Sequence, residues 1–301
     1  MYKNLIPTPK NVIESKGSFL FRDDLTIYAE KDFLESQAFL IEKLFPHFRV
    51  RIADNKSQSD IEFETLRDEN ANAQNIDAQN EKYILDIRSE KILISASSLQ
   101  ASFYAVQTLL QLLPAYIYSP AKAETEKEAK IDCVKIEDWS KYKWRGSHID
   151  PSRHFFSKAD IMRFIDSLAL HKMNILHFHL TDDQGWRIEI KKYPRLTEIG
   201  AYRKRSQVGG GDPQYDSRPH GGFYTQNDLR EIVAYAKSRG IEIVPEIDIP
   251  GHCQAAIASY PELGIDWADG EKKHLDVWDT WGVSNEILNA EESTFEFLEN
   301  V

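Results

Sequence analysis

Three apolar stretches of this sequence run into ionisable groups at their C-terminal ends: Arg145-Gly-Ser-His-Ile-Asp150, Ile175-Leu-His-Phe-His-Leu-Thr-Asp-Asp183 and Ile241-Glu-Ile-Val-Pro-Glu-Ile-Asp248. Arg153 follows the first by a few residues and His252 follows the third. Read as strands with helices between them, the stretches gather acids, imidazoles and a guanidinium at one end of a parallel sheet. A (β/α) barrel builds its active site in that way. Taken singly, each group reads equally well as a hydrogen-bonded polar member of a core. The convergence of Asp150, Arg153, His179, Asp182, Glu246 and His252 on one barrel end points instead to chemistry. Metal binding is one chemistry these types permit, since His177-x-His179 on a strand with Asp182 and His252 nearby is a workable ligand set.

The elements that must position these groups are legible around them. Side chains alternate across a strand, so His177, His179 and Thr181 share one face of the second stretch and Leu176, Phe178 and Leu180 the other. The aliphatic set suits packing against helices, which turns the histidines into the barrel. On the third stretch Glu242, Val244, Glu246 and Asp248 share a face opposite the isoleucines. Between the stretches, Ser157 with Asp160 and Thr225 with Asp228 are capping-box signatures, and Phe156 and Tyr224 are placed to staple onto Ile161 and Leu229. Apolar stripes follow at helical spacing, Ile161, Phe164, Ile165 and Leu168 in one helix and Ile232, Val233 and Ala236 in the other, with Gly240 as a C-terminal stop. The long Gly-, Arg- and Pro-rich segment 193–222 between the second strand and its helix lies where barrel loops carry function.

Strand, helix, strand, helix is the order of a parallel α/β sheet. The expected fold class is α/β: an incomplete (β/α)8 TIM barrel over residues 139–301, preceded by a small α+β domain over 1–138. A complete barrel needs eight strands and roughly 250 residues, so the expectation is a barrel truncated at about strand four. In the first domain, residues 19–21 and 25–28 are strand-like, and a helix follows with Phe33, Leu34, Ala38, Ile41, Leu44 and Phe45 on one side, ended by Pro46. Ile61-Glu-Phe-Glu alternates as a half-buried strand does. Residues 83–87 and 91–95 pair across Arg88-Ser-Glu, and a helix spans 99–113 before Pro114. The polar segment 67–80 and the charged segment 121–130 have nothing to bury and read as an excursion and a linker.

Composition excludes several classes. A net charge of −11 argues against nucleic acid or an anionic membrane as the main partner. No run approaches the 18 or so apolar residues of a membrane span. The start lacks the apolar core of a signal peptide, which fits a cytoplasmic enzyme or a processed exported one. Cys133 and Cys253 make neither a disulfide framework nor a zinc site, and Cys253 beside His252 reads as a buried thiol.

Three blocks carry a resemblance. Asp150-Pro-Ser-Arg-His-Phe, Asn174-Ile-Leu-His-Phe-His-Leu-Thr-Asp-Asp-Gln-Gly-Trp-Arg-Ile-Glu and Pro245-Glu-Ile-Asp-Ile-Pro-Gly-His252 are similar, in order and spacing, to the β-N-acetylhexosaminidases of glycoside hydrolase family 20. The region to about residue 138, including Phe103-Tyr-Ala-Val-Gln-Thr-Leu-Leu-Gln-Leu, resembles that family's small non-catalytic α+β domain, with Gln100 where the family usually has Gly. The resemblance implies hydrolysis of terminal non-reducing N-acetylhexosamine from β-linked glycans, without cofactor or metal. The implied mechanism is retaining and substrate-assisted: the 2-acetamido oxygen attacks the anomeric carbon, an exception to the two-carboxylate rule. It implies that Arg153 grips sugar hydroxyls, a task suited to a planar multi-donor fork. Asp182 and His252 match the pair that steadies the catalytic acid. Asp150, His179, Glu246 and Asp248 fall around the same pocket.

The family's Asp-Glu pair, in a His-x-Gly-Gly-Asp-Glu motif ending strand four, is absent from the sequence. Gly209-Gly-Gly-Asp-Pro213 is no substitute, because it precedes the third strand and Pro213 stands where the acid would be. Residues 284–301 resemble the helix that leads into strand four. The expectation is therefore a fragment whose catalytic residues lie beyond Val301, inactive and poorly folded alone. The alternatives are a metal-dependent barrel hydrolase and a catalytically dead sugar-binding remnant that keeps Arg153. In each reading Trp186, Trp267, Trp278 and Trp281 are candidates to stack on sugar faces.

Overall fold

A computed structural model describes residues 4–66, 81–118, 129–210, 212, 214–265 and 274–301. The polar segment 67–80, residues 121–128 of the charged segment, Trp267, and Gly211 and Pro213 of the glycine-rich string lie outside the described residues. The chain forms two compact units: Met1–Arg145 with Ser167–Met173 and Ser238–Gly240, and Gly146–Asp166 with Asn174–Lys237 and Ile241–Val301. No helix among the described residues is long and apolar enough to cross a membrane.

The first unit contains strands β1 (Asn11–Phe21), β2 (Leu25–Ala29), β3 (Val50–Ile52), β4 (Ile61–Thr65), β5 (Tyr83–Ile87), β6 (Ile92–Ala96) and β7 (Ala129–Asp138), with helices α1 (Leu34–Leu44) and α2 (Leu99–Leu112). The strands form one mixed sheet in the order β1-β7-β5-β6-β4-β2-β3. α2 opens on Ser98, whose Oγ accepts the Ala101 N–H at 3.1 Å, and it packs on β5, β6 and α1.

Three sequence expectations need correction in this unit. The buried face of α1 carries Phe33, Ser36, Gln37, Leu40 and Leu44, while Leu34, Ala38 and Phe45 are exposed. Polar partners explain the rotation: Ser36 Oγ meets Ser102 Oγ at 2.7 Å, and Gln37 Nε2 donates to Ile27 O at 2.9 Å. β4 is covered on both faces to Glu62, which is buried against Lys56 and Lys91 at 3.3 and 2.6 Å. Ala129 and Lys130 belong to β7 rather than to a linker, and that strand joins β1 to β5.

The second unit is built on β8 (Gly146–Ile149), β9 (Ile175–His179) and β10 (Glu242–Glu246), hydrogen-bonded in parallel in the order β10-β9-β8. The register sets His177 between His148 and Val244, and Glu246 beside His179. α3 (Lys158–Leu170) and α4 (Gln226–Lys237) connect them. Both capping boxes form. Ser157 N and Oγ donate to Asp160 Oδ2 at 3.0 and 2.5 Å, and Thr225 N and Oγ1 donate to Asp228 Oδ2 at 3.1 and 2.6 Å. The Asp160 and Asp228 N–H groups reciprocate. On α4 Ile232 and Ala236 are buried but Val233 faces solvent, so its stripe is narrower than the spacing suggests. Gly240 takes φ +68 and the Ile241 N–H closes on Ala236 O at 2.9 Å, the geometry that ends a helix with a left-handed residue. A second apolar cluster gathers Trp186, Leu196, Ile257, Leu263, Leu288 and Phe297, with α5 (Gln254–Ser259) and α6 (Glu292–Asn300) contributing.

The reciprocal cap fixes where α4 begins and hence how β10 enters the sheet. Thr225→Ala removes both the Oγ1 donor and the acceptor of the Asp228 N–H. We expect it to lower stability by about 1 kcal/mol, read as a shift in urea midpoint with an unchanged slope. An unchanged midpoint would mean that the box contributes nothing.

Candidate active site

β8 ends at Ile149, and the chain turns at once. The Asp150 carboxylate holds the turn: Oδ1 accepts the Arg153 N–H at 2.9 Å and Oδ2 accepts Arg153 Nη1 at 2.7 Å. The guanidinium is thereby aimed across the strand ends, and Nη2 reaches Asp182 Oδ2 at 2.5 Å. Asp182 opens a tight hairpin after β9, where Thr181 pairs with Trp186. Its side chain is 0% exposed, and an ionised carboxylate in that position must have its lone pairs filled. Four donors do so: Arg153 Nη2, His179 Nε2 at 3.0 Å, the Asp183 N–H at 2.6 Å and His252 Nδ1 at 3.2 Å. Burial alone would raise its pKa; the His179 ring, the Asp183 N–H and Arg153 outweigh burial and hold it below the ordinary value.

Glu246 approaches from β10. Its Oε2 contacts His177 Nε2 and lies 3.0 Å from His179 Nδ1. The second approach is off the ring's N–H direction, so it is an ion-pair contact without a formed hydrogen bond. Burial would raise the Glu246 carboxyl, but the two imidazoles hold it below its usual value. For His179 burial acts downward, and Asp182 and Glu246 carry it above the ordinary imidazole value. Asp248 donates its N–H to Thr181 Oγ1 at 3.1 Å, which ties β10 to the end of β9. His252 sits at φ +52 beyond it, a left-handed conformation that costs an L-residue about 1–2 kcal/mol. In that pose Nδ1 is shared between Asp182 Oδ1 and Asp183 Oδ2, at 3.2 and 3.1 Å.

Asp150, Arg153, His179, Asp182, Glu246 and His252 thus form one connected cluster, with Asp248 at its edge. Sequence reasoning left out four contributors. His148 meets the His177 ring edge-on at 4.7 Å, and burial together with its two histidine neighbours lowers its pKa. Asp183, fully buried, takes His252 on one oxygen and the Gln254 N–H on the other. Arg187 is 0% exposed. Four of its partners are backbone carbonyls, Pro151 O, Ser152 O, Ala201 O and Gly222 O, at 2.6–3.1 Å. Burial and nearby Arg203 pull its pKa to about 9, so it stays charged at neutral pH and clamps the turn that carries Arg153. His220 accepts the Phe155 N–H on Nε2 at 2.9 Å, so that nitrogen carries no proton. The advance signals were the period-two spacing of His148 and Asp150 and the positions of Asp183 and Arg187 inside the second matched block.

Arg153 also borders an open pocket lined by Gln184, Arg203, Ser206, Gln207, Asp279, Thr280 and Trp281. Arg203, Ser206 and Gln207 of the segment 193–222 line this pocket, and short pairings join Tyr202–Arg203 with His220–Gly221 and Gln207–Val208 with Gln214–Tyr215. Trp281 is 73% exposed, and the Arg153 guanidinium carbon lies 5.9 Å from its ring centre. Trp186 is not available to a ligand: it is 2% exposed in the apolar cluster, and its Nε1 donates to Ile188 O. Trp278 is half-buried. Cys253 is buried and its thiol is pushed up to about 12 by burial, which leaves it unreactive. Three groups among the described residues have metal-ligand types in reach of one another: His148–His177–Glu246, His179–Asp182–Asp248 and Asp182–Asp183–His252. In the last two, Arg153 already neutralises Asp182 and opposes a dication.

Comparison with known proteins agrees with this architecture. Residues 142–301 match the model of the glycosyl hydrolase family 20 catalytic domain, and residues 2–139 match that of domain 2 of the same family. The chain belongs to glycosyl hydrolase family 20. It is 37% identical to a beta-hexosaminidase of Porphyromonas gingivalis over 99% of its own length and 36% of the relative's. It is 34% identical to one of Vibrio furnissii, over 99% and 45%. Among solved structures, a Streptomyces plicatus beta-hexosaminidase variant in complex with the product GlcNAc superposes with a TM-score of 0.82 at 32% identity, covering 98% of this chain and 55% of that one. The chain spans a third to a half of the length of these curated relatives. The fold is that family's: a small α+β domain followed by a (β/α) barrel-type domain.

His220 gives a test of the anchor beneath Arg153. Burial, with Arg203, His154 and Arg187 close by, lowers its pKa from 6.5 to about 4. A histidine with a folded pKa below its unfolded value contributes stability that is full above about pH 6.5 and lost as pH falls toward 4, because the unfolded chain takes up the proton first. Between pH 7 and 4.5 wild type should lose more stability than His220→Asn, which keeps an acceptor without the titration. Equal losses in denaturant melts across that window would separate His220 from the anchor.

Proposed function

We propose that the whole protein releases terminal non-reducing N-acetylhexosamine from β-linked glycans by retaining, substrate-assisted hydrolysis. The observation that carries this reading is the Arg153 guanidinium, fixed by Asp150 and Asp182 at the carboxyl end of the sheet and bordering an open pocket beside exposed Trp281. A planar fork held by two carboxylates presents its remaining N–H groups in a set direction, which suits vicinal sugar hydroxyls. Trp281 offers an apolar face of the kind on which a pyranose ring packs. The names of the relatives support the substrate class: one is an N,N'-diacetylchitobiase of Vibrio harveyi, and one structure holds GlcNAc.

In this reading residues 1–138 are the non-catalytic domain and 139–301 the first part of the barrel. Arg153 binds and orients the terminal sugar. Asp182 holds Arg153 on one oxygen and His252 on the other, so the same buried charge steadies both the grip and the imidazole that supports the acid. His179, Glu246, Asp150 and Asp248 shape and hold that pair. No group of this chain acts as a nucleophile, because the substrate's own acetamido oxygen attacks the anomeric carbon and the retained configuration follows from two displacements.

The test is turnover of a chromogenic N-acetyl-β-glucosaminide by the full-length protein, inhibited by a thiazoline analogue of the cyclised intermediate. Equal turnover of the plain β-glucoside, which lacks the acetamido group, would overturn the substrate-assisted reading. Arg153→Lys replaces the fork with a point charge and should lower kcat/KM by about 30- to 1000-fold, on the order of 2–4 kcal/mol. A variant within about twofold of wild type would remove Arg153 from the sugar site.

A further inference from the structure

We propose that Glu246 is a positioning residue that acts through His179: it keeps His179 as an imidazolium wedged between Glu246 and Asp182, and this cation fixes the Asp182 carboxylate that aims Arg153. The inference rests on the proposed sugar-gripping role of Arg153. Its geometric basis is that His179 is buried with a carboxylate oxygen 3.0 Å from each ring nitrogen, Asp182 Oδ2 at Nε2 and Glu246 Oε2 at Nδ1. A neutral ring carries one proton. Either neutral tautomer sets an unprotonated ring nitrogen 3.0 Å from a carboxylate oxygen, whereas the doubly protonated ring donates to Asp182 through Nε2 and faces Glu246 as an ion pair at Nδ1.

Charge balance around the ring favours the same state. From β8 and the turn after it, His148 stands 5.7 Å from the His179 ring, Asp150 faces it, and Arg153 pairs with Asp150 and Asp182. From β10 and beyond come Glu246, Asp248 and His252, and from its own strand His177 shares Glu246 Oε2. Among the described residues, Arg153 is the one permanent cation paired with Asp182. A second cation on His179 leaves Asp182 tied from two sides. Without it, Asp182 would keep Arg153 as its permanent cationic partner and receive from His179 a neutral hydrogen bond in place of a charged one. Glu246, half-buried and not itself in contact with Arg153, therefore sets the aim of Arg153 at one remove.

The experiment uses the full-length protein and two independent readouts. Deuterium exchange at the imidazole C2 position, followed by mass spectrometry, gives the pKa of each histidine whether or not the protein is active. In Glu246→Gln the His179 pKa should fall by about one unit or more, and in His177→Gln it should stay within about half a unit. The kinetic readout is the pH profile of kcat/KM. Glu246→Gln should move its alkaline limb to lower pH, with about a tenfold loss at pH 7.5, carried mainly by KM. The loss should shrink to within about threefold of wild type at a pH where His179 regains its proton. Glu246→Asp, which keeps the charge, should restore most of the pKa and of the profile, and Glu246→Ser, which removes the charge with a smaller side chain, carries the first measurement if Glu246→Gln does not fold. An unmoved His179 pKa, an equal shift in His177→Gln, or a loss uniform across pH would each overturn the proposal. Absence of hexosaminidase turnover in wild type with the His179 shift intact would instead overturn the functional reading and leave the Glu246–His179 linkage standing.

Discussion

The arrangement depends on one buried carboxylate. Removing the Asp182 side chain from water is tolerable only if every oxygen lone pair finds a donor, and the donors come from four places in the chain. Arg153 arrives from the turn after β8, His179 from β9, the Asp183 N–H from the hairpin, and His252 from the segment after β10. Each must be in register for the charge to be satisfied. A slip of one residue in β9 would turn His179 to the helix face, because side chains alternate across the strand. The left-handed backbone at His252 has the same origin: the local cost is offset by a contact that an extended residue there would not make. The residues proposed to carry function are thus the residues that the buried charge forces together.

A second buried charge is handled differently. Arg187 is as deeply buried as Asp182, yet the partners it holds are backbone carbonyls of three separate loops. Carbonyl dipoles satisfy the guanidinium without supplying an opposing charge, and burial accordingly lowers its pKa. Five fixed donors can tie loops that have no side chains to offer. The consequence is a rigid turn at Pro151 and Ser152, immediately before Arg153. One arginine is clamped so that Arg153, which follows that turn, can be aimed at Asp182.

The barrel-type part was legible because its signals are local and repeated. Capping boxes at Ser157 and Thr225, the stop at Gly240 and the alternation in β9 each specify geometry within a few residues, and all point the same way. The placement of Asp150, Arg153, His179, Asp182, Glu246 and His252 followed from strand direction alone. What escaped was set by contacts distant in sequence. The rotation of α1 depends on Ser36 meeting Ser102 and Gln37 meeting Ile27 O, and nothing near α1 announces either. β7 has a readable alternation, Ile131 and Cys133 inward against Lys130 and Asp132 outward, but the charged segment before it masked the strand's beginning. Trp186 and Trp281 are the same residue type in similar company. Only packing distinguishes the core residue from the exposed one, and spacing carries no information about that.

Asp182 and Asp183 show how adjacent identical groups acquire different tasks. Both are buried, and burial raises both carboxyls. Asp182 has the His179 ring, a backbone N–H and Arg153 to reverse that effect, and its pKa falls below the ordinary value. Asp183 has the Gln254 N–H and a share of His252, but it also faces the charge of Asp182, and its pKa rises. Paired acids driven apart in this way divide the roles of fixed anion and proton-sensitive partner. His252 Nδ1 lies between them, 3.2 Å from one and 3.1 Å from the other. An ionised Asp182 keeps the Nδ1 proton on the ring, which leaves Nε2 as the position where His252 can interact with a further group. On the proposed reading that group is the catalytic acid, so the fixed charge of Asp182 reaches the chemistry by two routes: through Arg153 to the sugar, and through His252 to the proton that the leaving oxygen receives.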